Sequence, residues 1–480
     1  MHVRKVSIIL LALALGILLD FFVLVWPNAW IQEPVLPPIL VFLTDDLSVR
    51  DVSAYGAPDV RTPQIDRLAK VGMRFDRAFI ASPACAPSRA ALLTGLMPAR
   101  NGAEANHSYP SNNVRSLIPS LQELGYEVAA FGKVGHGNEK NLLRYGFDHL
   151  DQSYQAETVE KWLANRNSPR PLCLFVGSRD PHVPWKKELA IETEKVVLPP
   201  FLLDTADTRT FRSRYYADVV QADADFGAVY DLFSRHFGPD SLVVFSSDHG
   251  GQWPFGKWHL YDEGIRVPLV ISWPGKIAPG SSTDAMVNWV DLIPTLIELA
   301  GGNVPRNLDG WSFQPVLKDP TSTHRDWIFT THTGDGNRNI YPIRSIRTQR
   351  WKYIRNLHPD WLFTTHMTDL RRPDAGAYWN SWEAEAREDP HAAWLVRRFY
   401  LRPPEELYDL ESDPDELNNL AHDPNFSTIR ARLSLELDGW MAGQNDRGWV
   451  HEDPRWPAEQ QELLKVIDKV LKNQGTIGNE

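Results

Sequence analysis

The chain has 480 residues, of which 43% are hydrophobic and 23% charged, and its formal net charge is -11. This length predicts one large domain plus a smaller one, with enough apolar residues for a large core. The acidic balance argues against a nucleic-acid-binding protein, because such proteins present a basic face. An anionic substrate would therefore need a local group of basic residues.

The first thirty residues have the composition of an export segment. His2, Arg4 and Lys5 precede an apolar run at residues 6–19, and apolar residues resume after Asp20 as far as Trp26. This pattern predicts a signal peptide or a membrane anchor at residues 1–30, with a buried structural helix as the alternative. We therefore expect an exported protein that is periplasmic, extracellular or tethered to a membrane.

Four short apolar runs are followed directly by polar residues. The runs lie at residues 39–43, 128–131, 172–176 and 242–245, and amphipathic helices are predicted at 62–71, 117–124 and 219–237. Continuous apolar runs of this length are typical of parallel strands buried on both faces. The alternation predicts an α/β fold with a large, mostly parallel central sheet flanked by helices. Ligands bind such sheets beyond the carboxyl ends of the strands, where all four polar clusters would lie.

The composition changes after about residue 340. Residues 343–354 and 406–410 read as strands, and a Trp-rich stretch separates them. We therefore predict a catalytic domain at residues 36–340 and a smaller C-terminal α+β subdomain at residues 341–480.

The two cysteines of the chain lie in different surroundings. Cys173 is inside an apolar strand-like run, which predicts a buried, inert thiol. Cys85 precedes Pro87, which suits the first turn of a helix that ends near Gly95. A helix N-terminus favours negative charge, and we expect Arg89, one turn further on, to reach back toward Cys85. A disulfide between the two cysteines is the alternative for an exported protein.

The segment around Cys85 resembles a known signature. Residues 85–95 read C-A-P-S-R-A-A-L-L-T-G and match every fixed position of the sulfatase signature C-x-P-S-R-x-x-x-x-T-G. The resemblance implies a fold of the alkaline phosphatase type. It also implies that a formylglycine-generating maturation enzyme converts Cys85 to formylglycine, whose hydrate is the nucleophile.

Acidic residues follow two of the predicted strands. Asp45 and Asp46 adjoin after the first, and Asp248 and His249 after the fourth. Carboxylate oxygens suit Ca²⁺ or Mg²⁺, although an isolated Asp-Asp pair is more often a turn or helix cap. Sulfatases have acids at both places, so the resemblance implies one bound Ca²⁺, with Mg²⁺ as the alternative, held by these four residues and the residue at Cys85.

Basic residues follow the other strands. Lys133 and His136 resemble the sulfatase G-K-x-x-H element, while His182 and Lys257 match the later histidine and lysine of the family. Each of these residues alone would be interpreted as a solvent-exposed lysine or as a structural histidine whose hydrogen bonds are made within the fold. Together they supply the positive pocket that an anionic substrate needs. The family mechanism implies that Arg89, Lys133 and Lys257 stabilise the sulfate group, with His182 as acid and His136 as base, and the two histidine roles could be exchanged.

The substrate class follows from weaker likenesses. The ending at residues 406–421 is similar to that of sulfatases, and its spacing resembles heparan N-sulfatase (sulfamidase). His249 and the G-K-x-x-H spacing are closer to iduronate 2-sulfatase. These likenesses imply a sulfated glycan without choosing between O-sulfate and N-sulfate. His107 and His332 are candidates for substrate contact, with a structural or exposed position as the favoured alternative.

Two other functions remain open at this point. One is a phosphate mono- or diester hydrolase of the same superfamily, which as a two-zinc enzyme would need more His and Asp ligands than the sequence offers. The other is a catalytically silent glycan-binding protein, which we would expect to lack Cys85, Arg89 or a metal-binding acid. The sequence retains all of them.

Overall fold

The computed structural model describes residues 36–336, 338–448, 450 and 457–473. The part that begins at Pro37 forms one compact unit. The export segment predicted at residues 1–30 lies outside the described residues. Within the described part of the chain, no helix is both long enough and apolar enough to cross a membrane.

An eight-stranded sheet forms the centre of the molecule. Neighbouring strands pair in parallel, except that the strand Leu269–Ser272 is antiparallel to both of its neighbours, Met73–Phe75 and Leu242–Ser247. Numbered in chain order, its strands stand in the spatial order β10 (Ser281–Thr283), β2 (Met73–Phe75), β9 (Leu269–Ser272), β7 (Leu242–Ser247), β1 (Ile39–Thr44), β6 (Leu172–Gly177), β4 (Glu127–Gly132) and β5 (His149–Asp151).

The four apolar runs of the sequence are the four adjacent strands β7, β1, β6 and β4. Every residue of β1, β6 and β7 is buried, because the strands carry apolar side chains on both faces. The predicted α/β fold with a mostly parallel central sheet is therefore confirmed.

Helices pack against this sheet. Helices α1 (Pro63–Val71), α4 (Ile118–Glu123) and α7 (Ala206–Phe237) contact strands β9, β4 and β1 respectively, and α1 and α4 coincide closely with two predicted helices. The third prediction began at residue 219, but α7 begins at Ala206, where the Thr205 side chain accepts a hydrogen bond from the Thr208 amide. The described α-helices are α1 (Pro63–Val71), α2 (Cys85–Thr94), α3 (Pro98–Asn101), α4 (Ile118–Glu123), α5 (Glu139–Leu142), α6 (Ala156–Asn165), α7 (Ala206–Phe237), α8 (Asp262–Ile265), α9 (Leu292–Leu299), α10 (Gln314–Lys318), α11 (His366–Leu370), α12 (Trp379–Glu385), α13 (Pro390–Tyr400), α14 (Ser427–Gln444) and α15 (Ala458–Asn473).

Two smaller sheets and several 3-10 turns complete the described structure. Strands β11 (Val287–Asn288), β3 (Ala78–Phe79) and β8 (Arg266–Val267) form a three-stranded sheet. An antiparallel sheet contains β12 (Ile328–Gly334), β13 (Ile340–Arg347), β14 (Trp351–Asn356) and β15 (Glu405–Asp409). The 3-10 helices are Val49–Asp51, Ser53–Tyr55, Leu143–Tyr145, Thr193–Lys195, Trp289–Asp291 and Pro424–Phe426.

The antiparallel sheet corrects one sequence prediction. The single strand predicted at residues 343–354 is wrong, because a turn divides this stretch between β13 and β14. Thr348 closes the turn: its amide donates to the Trp351 carbonyl at 2.8 Å, and its hydroxyl oxygen accepts from the Trp351 amide at 2.8 Å. The sheet begins at Ile328, ahead of the predicted domain boundary at residue 340, and that boundary stays a prediction.

Candidate active site

The predicted site residues follow the carboxyl ends of adjacent strands. Asp45 and Asp46 come directly after β1, Lys133 after β4 and Asp248 after β7, while His182 lies in the loop after β6. Since these four strands are neighbours, the residues meet at one edge of the sheet. The carboxyl ends of parallel strands lie at the same edge of a sheet, and the sequence pattern predicted this arrangement of the site residues.

Helix α2 carries Cys85 to the same edge. Cys85 is the first residue of the helix, after Ala84 in an extended conformation, and Gly95 ends the helix in a left-handed conformation with φ of 67°. The whole helix is buried, which its small alanine side chains permit. The amide of Ala86 in the first turn donates to Asn106 Oδ1 at 3.0 Å. Cys85 therefore lies at a helix N-terminus, where the partial positive charge of the helix favours a negatively charged group.

Both cysteines are free, so the alternative of a disulfide between Cys85 and Cys173 is wrong. Burial in β6 raises the pKa of the Cys173 thiol, as expected for an inert residue. Burial also disfavours the thiolate of Cys85, but the nearby charges of Lys133 and Lys257 hold its pKa well below the usual range. The two thiols therefore differ in reactivity because only one of them lies among cations.

Arg89 is fully buried one turn after Cys85. Its Nε donates to Asp248 Oδ2 at 2.9 Å, and its terminal nitrogens donate to the carbonyls of Thr44 and Lys133. Burial lowers the pKa of the guanidinium, but Asp248 and Asp45 more than offset this effect and raise it. The hydrogen bonds of Arg89 thus hold the ends of β1, β4 and β7 together instead of pointing back at Cys85.

Lys133 joins Asp45 to the thiol. Its Nζ donates to Asp45 Oδ2 and lies 3.4 Å from Cys85 Sγ, while the other oxygen of Asp45 lies 3.5 Å from Sγ. Burial and the neighbouring Cys85 disfavour a charged Asp45, but Lys133, His182 and Arg89 hold its pKa below the ordinary value. A carboxylate and an ammonium group therefore both face the sulfur atom.

Asp46 and Lys257 form the second buried pair. Lys257 Nζ lies 2.9 Å from both carboxylate oxygens of Asp46, and the Asp46 amide donates to Asp248 Oδ1 at 3.1 Å. Asp46 has a φ of 69°, a left-handed conformation that is uncommon for a residue other than glycine. Such strain is found where a function requires the geometry.

His249 turns one nitrogen toward the thiol. Its Nδ1 donates to the Gly250 carbonyl at 2.9 Å, which leaves Nε2 at 3.3 Å from Cys85 Sγ. Burial lowers its pKa, but Asp248 and Cys85 reverse this effect and raise the pKa to about 9. Burial likewise raises the pKa of Asp248 to about 7, although Arg89 opposes this.

The ligand atoms of these residues are close enough to hold a metal ion. One group consists of Asp45, Cys85, Asp248 and His249, and a second of Asp46, Cys85 and His182, with all ligand atoms in each group within 4.8 Å of one another. Both groups share Cys85, so they form a single site among the described residues. Three buried carboxylates favour a hard cation such as Ca²⁺ or Mg²⁺.

His182 and His136 line the same cavity as Cys85. His182 Nδ1 donates to the Val183 carbonyl at 2.5 Å, which leaves Nε2 for the site. Burial opposes a charged His182, but Asp46 and Asp45 raise its pKa. Burial lowers the pKa of His136, and its Nε2 lies 2.8 Å from Nδ1 of His107. A raised pKa suits an acid and a lowered pKa suits a base.

A cavity of about 700 Å³ opens over the thiol. Asp46, Arg89, Asp248 and His249 are buried beneath its floor. Arg179 and Arg372 lie at the cavity wall, and neither guanidinium has an ion-pair partner among the described residues. The lining residues include Asp45, Cys85, Asn106, His107, Lys133, His136, Arg179, Asp180, His182, Gln252, Lys257, Trp258, Asp335, His366, Arg372 and Asp374.

The sequence interpretation missed several of these lining residues. Arg179 stands three residues before His182, and Trp258 follows Lys257, so their position beside recognised motifs could have indicated them. Asp335 and His366 lie far along the chain in segments without a motif, and only the fold brings them here. His107 lines the cavity, whereas His332 is buried in β12.

Comparison with known proteins connects this geometry to a family. A family model described as sulfatase matches residues 37–302, and one described as N-sulphoglucosamine sulphohydrolase, C-terminal, matches residues 249–374. The chain is 31% identical to an ulvan-active sulfatase of Formosa agariphila over 85% of this chain and 81% of that protein. It is 26% identical to human N-sulphoglucosamine sulphohydrolase over 86% and 90%.

Solved structures share the fold. A protein in complex with its substrate D-glucosamine-2-N,6-O-disulfate matches with a TM-score of 0.66 at 20% identity, over 86% of this chain and 99% of the other. The phosphonate monoester hydrolase of Agrobacterium radiobacter matches with a TM-score of 0.63 at 20% identity, over 85% and 96%. These two likenesses concern the fold alone, whereas the family model covers more than half of the chain. The chain therefore belongs to the sulfatase family and is a sulfuric ester hydrolase.

Proposed function

We propose that this sulfatase hydrolyses sulfate esters or N-sulfates of sulfated glycans, using a formylglycine made from Cys85 and one bound calcium ion. The observation that carries the proposal is the surroundings of Cys85. A carboxylate, an ammonium group and an imidazole each approach its sulfur atom to within 3.5 Å at a helix N-terminus. This arrangement suits an oxygen nucleophile held beside a cation.

The buried acids would hold the ion. Asp45, Asp46, Asp248 and His249 are the ligands we assign, together with the converted residue at Cys85, and Mg²⁺ is the alternative to Ca²⁺. Three carboxylates supply the oxygen atoms that these cations prefer. When present, the ion and the aldehyde hydrate would supply charge stabilisation and an oxygen nucleophile.

The basic residues of the cavity would bind the sulfate group. Lys133 and Lys257 line the cavity and donate hydrogen bonds to Asp45 and Asp46. Their positive charges would therefore act on a sulfate group bound beside residue 85. Arg89 is buried and does not line the cavity, and its hydrogen bond orients the carboxylate of Asp248. Donors aimed at a group that gains negative charge in the transition state lower the barrier to its transfer.

The two histidines would move protons. His182, whose pKa is raised, is suited to donate a proton to the leaving group, and His136, whose pKa is lowered, is suited to accept one. In this assignment each histidine acts once in the catalytic cycle.

The substrate class rests on the cavity and on the relatives. The named relatives act on ulvan or on N-sulphoglucosamine, both of them sulfated carbohydrates. A cavity of about 700 Å³ is larger than one sulfate group requires. Arg179 and Arg372 at its wall, which form no ion pair with any described residue, suit further anionic groups on a glycan. We therefore favour a sulfated glycan over a small sulfate ester.

The remaining assignments complete the proposal. We assign residues 1–30 to export, as a signal peptide or a membrane tether, so that the enzyme is periplasmic, extracellular or membrane-anchored. Residues 36–340 would form the catalytic domain and residues 341–480 the C-terminal subdomain. A formylglycine-generating enzyme of the host would be the maturation partner.

Peptide mass spectrometry of the segment that contains Cys85 tests the proposal first. On protein from the native host, we expect the mass of formylglycine in place of cysteine. The same preparation should release sulfate from an aryl sulfate and from sulfated glycans, and it should act poorly on the matched aryl phosphate. An unmodified thiol, or faster phosphate release, would contradict the proposal.

A further inference from the structure

A line of polar side chains leads from the active site to the end of β12. His136 Nε2 lies 2.8 Å from His107 Nδ1, and His107 Nε2 lies 3.3 Å from Asp335 Oδ1. His107 and Asp335 both line the cavity, although neither belongs to a motif that the sequence analysis recognised as catalytic. The line therefore joins a loop of the main domain to the antiparallel sheet.

Asp335 is held firmly at the far end of this line. Trp258 Nε1 donates to Asp335 Oδ2 at 3.1 Å, and His366 Nδ1 lies 3.6 Å from the same oxygen. The Asp335 side chain is nearly buried, and Asn106, next to His107 in the chain, donates its amide to the Gly334 carbonyl at 2.9 Å. Each carboxylate oxygen of Asp335 thus faces a different partner.

The contacts determine which nitrogen atoms carry protons. Burial disfavours a charged Asp335, but His107 and His366 hold its pKa below the ordinary value, so its carboxylate only accepts hydrogen bonds. Nε2 of His107 faces Asp335 Oδ1 at 3.3 Å, so we assign the proton of His107 to Nε2, and the same carboxylate raises the pKa of His107. In neutral His107 the other nitrogen, Nδ1, is an acceptor, and the proton between the two rings belongs to Nε2 of His136.

His136 is left with one unprotonated nitrogen. Its Nδ1 is buried and has no hydrogen-bond partner within normal geometry among the described residues. Cys85 is close enough to act on the pKa of His136. Since His136 and Cys85 line the same cavity, this unpartnered Nδ1 is the nitrogen of His136 that remains available to the site.

We propose that Asp335, acting through His107, is a positioning residue that fixes the proton of His136 on Nε2 and leaves Nδ1 free as the proton acceptor of the active site. The inference rests on the proposed function and assigns the role of base to His136 in preference to His182. When Nδ1 takes up a proton, the positive charge on His136 is shared with His107 and balanced by Asp335. The same logic orients the histidine of hydrolytic triads.

Asp335→Asn is a sharp test because Trp258 determines how the new amide must turn. The oxygen of the Asn side chain has to accept from Trp258 Nε1, so the NH₂ group faces His107 Nε2. His107 then moves its proton to Nδ1, and His136 is left with its proton on Nδ1. We expect kcat for an aryl sulfate to fall about 10²- to 10⁴-fold, with KM changed less than about threefold.

Two further variants separate this effect from a general loss of structure. Trp258→Phe removes the donor that fixes the orientation of the new amide. Asp335→Asn should therefore lower kcat about tenfold less in the Trp258→Phe background than in the wild-type background. Asp223→Asn also neutralises a buried aspartate, whose carboxylate accepts from the amides of Gln64 and Ile65. An amide oxygen can accept the same bonds, so kcat should be unchanged.

Nitrogen-15 NMR of labelled histidine gives a readout that does not depend on turnover. In protein with unconverted Cys85, we expect His136 to be protonated on Nε2 in the wild type and on Nδ1 in Asp335→Asn, with His136→Gln providing the assignment. A doubly protonated His107 that donates to His136 in the wild type would overturn the inference. So would an unchanged kcat, or a fall in kcat with the His136 proton still on Nε2.

The outcomes distinguish the inference from the function on which it rests. If the wild-type protein releases no sulfate from any substrate, the proposed function fails, while the NMR spectra still decide the proton position. If the wild-type protein is active and Asp335→Asn matches it, only the inference fails.

Discussion

Two clusters of buried charge differ in how completely their charges are paired. On strand β15 of the antiparallel sheet, Glu406 accepts hydrogen bonds from Arg402 at 2.6 Å, from Tyr408 at 2.6 Å and from Tyr261 at 2.7 Å. Burial opposes its charge, but Arg402 and Arg398 lower its pKa to about 2. Glu406, Arg402 and Tyr408 are buried. Tyr261 and Arg398 line a separate cavity, but none of these groups lines the cavity over Cys85.

The cluster at the edge of the main sheet is equally buried but is not closed. Lys133 and Lys257 bond Asp45 and Asp46, yet both lysines also line the cavity. The pKa of Asp248 is raised to about 7 because burial exceeds the stabilisation that Arg89 provides. A closed charge cluster holds elements of the fold together, whereas an open one keeps charge available for a ligand. The comparison predicts different consequences of mutation in the two places.

Cys85→Ala should have the largest effect, because it removes the atom on which the open cluster converges. We expect sulfate release to fall more than about 10⁴-fold, as for loss of a nucleophile in other hydrolases. The thermal midpoint should change by only a few degrees, since Ala fits the site of a small buried side chain. Aryl sulfate turnover and thermal denaturation measure the two quantities. Retained turnover would refute the nucleophile assignment.

Asp45→Asn tests whether the open cluster holds a cation. We expect the affinity for calcium to fall more than about tenfold and kcat to fall about 10²- to 10³-fold, because the variant removes one ligand charge. Calorimetric titration with calcium and turnover at saturating calcium measure the effects. Asp223→Asn is the matched control, as it neutralises an aspartate that lies on α7. Calcium binding equal to that of the wild type would remove Asp45 from the ligand shell.

The open cluster was more accessible to sequence analysis than the closed one. Its residues follow four apolar runs, and strands in one sheet direction bring Asp45, Lys133, His182 and Asp248 together whatever the loops do. The segment around Cys85 also predicted a helix with the cysteine at its N-terminus, and the structure has Cys85 as the first residue of α2. Local patterns were sufficient because each strand and the helix could be recognised from its own residues, and the common direction of parallel strands then places their carboxyl ends at one edge.

Long-range features could not be predicted in this way. Asp335 approaches His107 only because β12 ends beside the cavity, and no local periodicity records that contact. The closed cluster likewise joins Tyr261 to Glu406 across segments far apart in the chain. The turn at residues 348–350 was missed because Thr348 and Arg350 interrupt an otherwise strand-like pattern without Gly or Pro.

Glu406→Gln should lower the free energy of unfolding and leave kcat nearly unchanged. A pKa lowered from 4.5 to about 2 corresponds to about 3 kcal/mol of stability that is present above pH 4.5. This contribution is lost as the pH falls toward 2, because Glu406 then becomes protonated in the folded state as well. The variant should thus unfold about 3 kcal/mol more easily at pH 7, and the difference should shrink between pH 4.5 and 2. Denaturant titrations measure it, and a constant difference over this range would show that the carboxylate charge is not responsible.

Arg372→Gln should have the smallest effect, since the guanidinium is exposed at the cavity wall and has no ion-pair partner among the described residues. An exposed charge pair is worth about 0.2–1 kcal/mol, so KM for a glycan with several anionic groups should rise about two- to fivefold, with kcat nearly unchanged. Added salt should reduce the difference between the proteins, because it screens exposed charges. Arg372→Lys is the matched control that keeps the charge. If KM rises equally for an aryl sulfate, which offers no second anionic group, Arg372 supports the shape of the cavity and does not contact the glycan.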